Sequence, residues 1–186
     1  MKQYLQSGKV SLTIMLMCSL VFIINILLPI NLNQFGIVPR SLSHLSGIVF
    51  SPFLHGSWLH LFSNFLPFVI LGGLIGLKNT KRFWWLFIIH IISTGSLVWL
   101  FARGNSVHIG MSGVIYAFWG YLIIYGLVRR QLLHIFISII TLVFYGGLVF
   151  GVMPSTPGIS FESHLLGAIV GALSGYYFAK SEKRVR

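Results

Sequence analysis

Apolar residues fall along this chain in long blocks, not in the two-residue alternation of a strand. The blocks run Ser11 to Ile30, Trp58 to Leu77, Phe83 to Phe101, Gly110 to Val128, Gln131 to Phe150 and Phe161 to Ala179. A bilayer's hydrocarbon core is about 30 Å thick, and an α-helix crosses it with about 20 residues. Each block has about that length, so the pattern predicts six spanning helices in an all-α membrane protein, with residues 1–186 forming a single domain. Lys2 and Lys9 precede the first block, as charges precede a signal peptide. Its apolar run is longer than a signal core and no small-residue cleavage site follows, so it is expected to remain as a span.

The polar residues between the blocks give an orientation. Lys2, Lys9, Lys78, Lys81, Arg82, Arg129, Arg130, Lys180, Lys183, Arg184 and Arg186 lie in the two tails and the even-numbered loops, against only Arg40 and Arg103 in the odd-numbered ones. Cytoplasmic loops carry the excess of Lys and Arg, so both termini are expected in the cytoplasm. This placement also explains the net charge of +11: the cations anchor spans against anionic lipid headgroups. No basic helix or groove-like cluster points to nucleic acid. The outer loop from Asn31 to Ser57 is long and itself apolar, so it is expected to dip into the outer leaflet. The last outer loop, Gly151 to Ser160, holds Pro154, Pro157 and Gly158 and no charge, which suits either a cap over a buried site or a plain connector.

Composition narrows the class further. The chain is 56% hydrophobic and 8% charged, with a mean hydropathy of +0.89, which excludes an ordinary soluble domain. The single cysteine, Cys18, excludes an intramolecular disulfide, a zinc ribbon and paired-thiol chemistry. There is no aspartate, and the only acids are Glu162 and Glu182. Aspartyl proteolysis, a Ser-His-Asp triad and an H-E-x-x-H metal site are therefore all excluded.

Polar groups inside spans are costly and mark candidate sites. With the termini inside, the second, fourth and sixth spans begin at the outer face, so His60 with Asn64, Ser112 and His164 reach a similar depth. Ser112 is the candidate nucleophile and His164 its base, with His60, Asn64 and the Ser112 backbone N–H as donors to an oxyanion. His164 shares a face with Gly167, Gly171 and Gly175, small residues at four-residue steps that let membrane helices approach closely. Gly110, Gly113, Ala117 and Gly120 offer small residues on the fourth span. Taken singly, each group also has a structural reading: Ser112 as a helix cap, His60 and Asn64 as interhelical hydrogen-bonding groups, His164 as a packing residue. His44, His55, His60 and His108 share the outer side, but no carboxylate stands by to orient them around a metal. No metal or other cofactor is expected, and His55 is read as a neighbour supporting the oxyanion side.

Three motifs, H-G-S-W-L-H-L-F-S-N at His55 to Asn64, G-M-S-G-V-I-Y at Gly110 to Tyr116 and S-H-L-L-G-A-I-V-G at Ser163 to Gly171, resemble those of the rhomboid proteases in order and spacing. The resemblance covers nearly the whole chain. It implies a six-transmembrane-helix rhomboid-like bundle and an intramembrane serine endopeptidase with a Ser112–His164 dyad. His60, Asn64 and Ser112 would form the oxyanion hole, and Tyr116 would supply the ring that packs on the catalytic imidazole. The fifth span and last outer loop would form the substrate gate. Substrates would be single-pass membrane proteins, and the setting a bacterial plasma membrane with the active site opening outward. Two departures stand out: the long outer loop lacks the Trp-Arg pair found in many members, and Ser163 precedes His164 where alanine is common. The rival classes are a rhomboid-like protein that binds membrane helices without cutting them, and a small transporter, which would need polar residues through the full depth of its spans.

Overall fold

In a computed structural model, residues 2–77, 79–154 and 160–184 are described. Lys78, Pro157, Gly158 and Arg186, which figured in the loop and charge readings, lie outside them. Seven α-helices occur among the described residues: α1 (Lys2–Leu27), α2 (Gly47–Phe50), α3 (Trp58–Ile75), α4 (Thr80–Phe101), α5 (Ser112–Arg129), α6 (Leu132–Tyr145) and α7 (Phe161–Arg184). α2 is one turn inside the long loop between α1 and α3, and the other six follow the six apolar blocks. Five of these, α1, α3, α4, α5 and α6 with its extension, are long and apolar enough to cross a membrane. α7 is long enough, but its glycines, tyrosines, His164 and terminal charges dilute its apolarity.

The boundaries differ from the sequence reading where hydropathy and helix geometry part company. α1 begins at Lys2, not Ser11, because a polar first turn costs a helix little outside hydrocarbon. α7 likewise continues past Ala179 through a charged stretch to Arg184. α6 stops at Tyr145, and the chain tightens into a 3-10 helix over Gly146–Val152 although its apolarity continues. The paired glycines Gly146 and Gly147 lower helix propensity there.

α5 is the central element, buried along most of its length, and packs on α3, α4, α6 and α7. Its closest partner is α7. A Cβ built on Gly167 would lie 2.2 Å from the Gly113 carbonyl oxygen, and one on Gly171 1.9 Å from that of Ala117. At Gly175 the distance to the Tyr121 carbonyl oxygen would be 2.7 Å. No side chain fits at these points, so the glycine ridge sets the interaxial approach. α1 and α3 meet the same way, Gly72 and Gly76 admitting Ser11 and Ser7. Between these pairs Phe68 stacks on Phe118, and Phe83 on Phe87.

The loop between α1 and α3 is a chain of short helical turns. Its start is pinned to the far end of α4: the Arg40 guanidinium donates to the carbonyls of Leu100 and Ala102, at 3.1 and 2.8 Å, and the Trp99 indole donates back to that of Ser41. Arg40 adopts a φ of 62° to do so, an uncommon backbone for a side chain of its size. Here Arg40 and Trp99 hold the loop without the Trp-Arg pair of many rhomboid proteases. A β-bridge between Ile37 and His108 ties it to the segment leading into α5.

Candidate active site

Ser112 is the first residue of α5, where backbone N–H groups have no intrahelical acceptor and the helix dipole is positive. The turn before it depends on Gly110, which has a φ of 110° and whose N–H donates to the Ser51 carbonyl at 2.8 Å. A Cβ on Gly110 would sit 2.4 Å from His60 Nε2. Glycine there serves both the left-handed backbone and the approach of the His60 ring to within two residues of Ser112.

From α7, His164 brings its Nε2 to 2.9 Å from Ser112 Oγ. Its Nδ1 is 2.9 Å from the Gly151 carbonyl oxygen. A carbonyl only accepts, so Nδ1 carries the proton, and in the neutral ring Nε2 is left with its lone pair toward the serine hydroxyl. Tyr116, one turn along α5 from Ser112, stacks flat on the imidazole with centroids 4.2 Å apart and planes 7° from parallel. One contact thus fixes the tautomer and the other the tilt.

α3 supplies the remaining polar groups. Buried Asn64 uses one amide N–H to donate to the His60 carbonyl at 2.6 Å, which leaves the second. His55 lies edge-on to His60 at 5.0 Å and is 1% exposed. Burial, followed by the neighbouring His60, pushes its pKa down to about 3, so it is neutral at ordinary pH. Gly113 faces Ser163, whose Oγ would be 2.7 Å from a Cβ there.

The structure thus brings Ser112, His164 and Tyr116 into contact, with His60 beside Gly110 and bonded through its carbonyl to Asn64. It sets His90 apart, deep between helices and bonded to Ser174 at 2.9 Å. His44 is bonded within its own loop to Ser41 and Ser43. His108 lies between Ser106 and Ser160, and burial lowers its pKa. Glu162 pairs with Arg103 at 3.4 Å, not with His164. Among the described residues, no three His, Cys, Asp or Glu side chains gather as a metal site would require.

Sequence reasoning missed Gly151 as a site residue. Its carbonyl orients His164, and a Cβ on it would lie 1.8 Å from the Tyr116 hydroxyl. A carbonyl is common to every residue, so the only available signal was a glycine at the start of a Pro- and Gly-containing loop.

A family model described as the Rhomboid domain matches residues 42–181, which takes in Ser112, His164, Tyr116, His60, Asn64 and Gly151. An uncharacterized protein of Mycobacterium tuberculosis is 33% identical over 99% of this chain and 80% of its own length. One from Mycobacterium leprae is 35% identical over 99% of this chain and 76% of its own length.

Proposed function

Because the chain belongs to the rhomboid family of intramembrane proteases, we propose that it is an active serine endopeptidase cutting peptide bonds in or beside the transmembrane segments of single-pass proteins. The observation that carries this reading is the 2.9 Å contact between Ser112 Oγ and the unprotonated nitrogen of an imidazole oriented from its other side by the Gly151 carbonyl.

In this reading His164 Nε2 takes the proton as Ser112 Oγ attacks the scissile carbonyl carbon. The oxyanion that forms is met by the Ser112 N–H, the free Asn64 amide N–H and His60, donors fixed before charge develops. Collapse expels the amine with the proton from His164, leaving an acyl group on Ser112. Water, deprotonated by the same nitrogen, then releases the acid. With no carboxylate beside His164, Gly151 and Tyr116 perform the orienting work. A substrate helix must unwind locally, since its carbonyls are already hydrogen-bonded.

All of residues 1–186 serve as one domain in this reading, and α7 is the sixth span of the rhomboid-like bundle. Its glycine-lined face packs on α5, so it need not be as apolar as lipid-facing helices. Both termini lie in the cytoplasm of a bacterial cell, and water reaches Ser112 from the outer side. Substrate arrives laterally past α6 and the segment that follows it.

The test is cleavage of single-pass reporters in liposomes by the native protein, Ser112→Ala and His164→Ala. Both variants should fall to background, a loss on the order of 10³-fold or more, while keeping the native melting temperature. Absence of native cutting across several reporters would favour a helix-binding protein without catalysis, and cutting that survives Ser112→Ala would require another nucleophile.

A further inference from the structure

About 25 Å along α5 from Ser112, at the other end of the bundle, a cavity of about 270 Å³ opens among α3, α4, α5, α6 and α7. Its polar side is built from Arg82, Arg129, Tyr121, Tyr125 and Glu182. Glu182 is heavily used: Arg82 pairs with one of its oxygens, and Tyr125 donates to the other at 2.9 Å. The second guanidinium nitrogen of Arg82 donates to the Tyr121 hydroxyl at 3.2 Å.

Arg129 is the more weakly paired of the two cations. It is 8% exposed, its Nε is buried without a hydrogen-bond acceptor among the described residues, and its nearest approach to Glu182 is 3.9 Å. Among the described residues one carboxylate faces two guanidinium groups, so this wall of the cavity carries a net positive charge. Burying such a charge is costly unless an anion completes it. Apart from Gln131 and His134, the rest of the lining is apolar, with Leu74 on α3 and Leu133 and Ile137 on α6. A site with a cationic floor and apolar sides between membrane helices matches an amphiphile: a phosphate headgroup against the arginines with acyl chains along α3 and α6. Guanidinium suits that headgroup through its forked donors.

We propose that this cavity binds a phosphate anion, delivered as the headgroup of an anionic phospholipid, with Arg129 as its principal ligand and Arg82 assisting. The site is separate from the dyad and does not depend on proteolysis. Because its walls join α6 to α3 and α5, an occupied site would fix the end of α6 remote from Ser112.

Delipidated full-length protein in detergent would be titrated with dioleoylphosphatidylglycerol, dioleoylphosphatidylcholine and inorganic phosphate, and binding followed by native mass spectrometry and by the shift in melting temperature. Saturable binding and stabilisation by phosphatidylglycerol alone is expected. Arg129→Gln should weaken it at least about tenfold and Arg129→Lys less, since lysine keeps the charge but not the forked donors. Leu133→Glu, at an exposed position on the cavity wall, puts a carboxylate at the mouth without touching the core. It should abolish binding even if Arg129→Gln proves unstable. Equal binding of phosphatidylglycerol by Arg129→Gln or by Leu133→Glu would overturn the site. Equal stabilisation by inorganic phosphate would overturn the lipid as its source, and equal binding of phosphatidylcholine would reduce the cavity to nonspecific lipid contact.

Discussion

A lone imidazole next to a serine is a weak base-nucleophile pair unless something holds the ring, and here a backbone carbonyl and a phenol ring do so. Tyr116→Phe keeps the ring face, so its cleavage rate is expected near the native one. Tyr116→Ala frees the imidazole and should cost about 10- to 100-fold in kcat, as small misplacements do. Gly151→Ala drives a methyl into the Tyr116 hydroxyl and should lower kcat by a similar factor. Adding Tyr116→Phe removes the clashing oxygen and should restore part of that loss, a coupling that a double-mutant cycle measures. Asn64→Ala removes a proposed oxyanion donor and should cost about 10² to 10³ in kcat with little change in KM. These roles were unequally legible in the sequence. Ser112, His60, Asn64 and His164 stand out because polar side chains in apolar surroundings are expensive, whereas the Gly151 contribution is made by an atom every residue has.

For helices, close approach is the organising constraint, and the tightest contact is that of α5 with α7. Gly171→Leu would set a side chain where the Ala117 carbonyl lies 1.9 Å from a bare Cβ. The expected cost is about 1–3 kcal/mol or more, read as a lower melting temperature in detergent together with lost cleavage, because the same displacement parts His164 from Ser112. Leu165→Ala, at an exposed position on the same helix, should do neither. The six apolar blocks and this glycine ridge were readable because lipid imposes length and close packing imposes spacing. Helix ends were less so. α1 and α7 run on through polar residues because hydrogen bonding continues where apolarity stops, and α6 breaks at Gly146 because backbone preference changes where apolarity does not. The clustering of Arg82, Arg129 and Glu182 was invisible, being assembled from three helices.

Taken as a whole, the molecule has two chemically different ends, and orientation decides which faces which compartment. Cys18 is buried, so single cysteines introduced at exposed Asn105 and Lys183 can be labelled in intact cells. An impermeant maleimide should reach the first from outside and the second only after lysis, and the reverse result would invert the proposed topology. The end that holds Ser112 should also be acid-sensitive. His55 and His108 both have folded-state pKa values lowered by burial, so below about pH 6.5 the unfolded chain binds protons that the folded one refuses. Stability is therefore full above that pH and declines as it falls, toward about 3 for His55. Melting temperatures across pH 4 to 8 should follow this slope, and His55→Leu with His108→Gln should flatten it. The carbonyl that steadies His164 belongs to the 3-10 segment continuing from α6, the element proposed to move aside for substrate. Admission and cutting would then take turns: displacing the segment would remove the imidazole's support, and hydrolysis would wait for its return. A substitution that loosens this joint should speed substrate docking while slowing acylation, so that the doorway also times the chemistry.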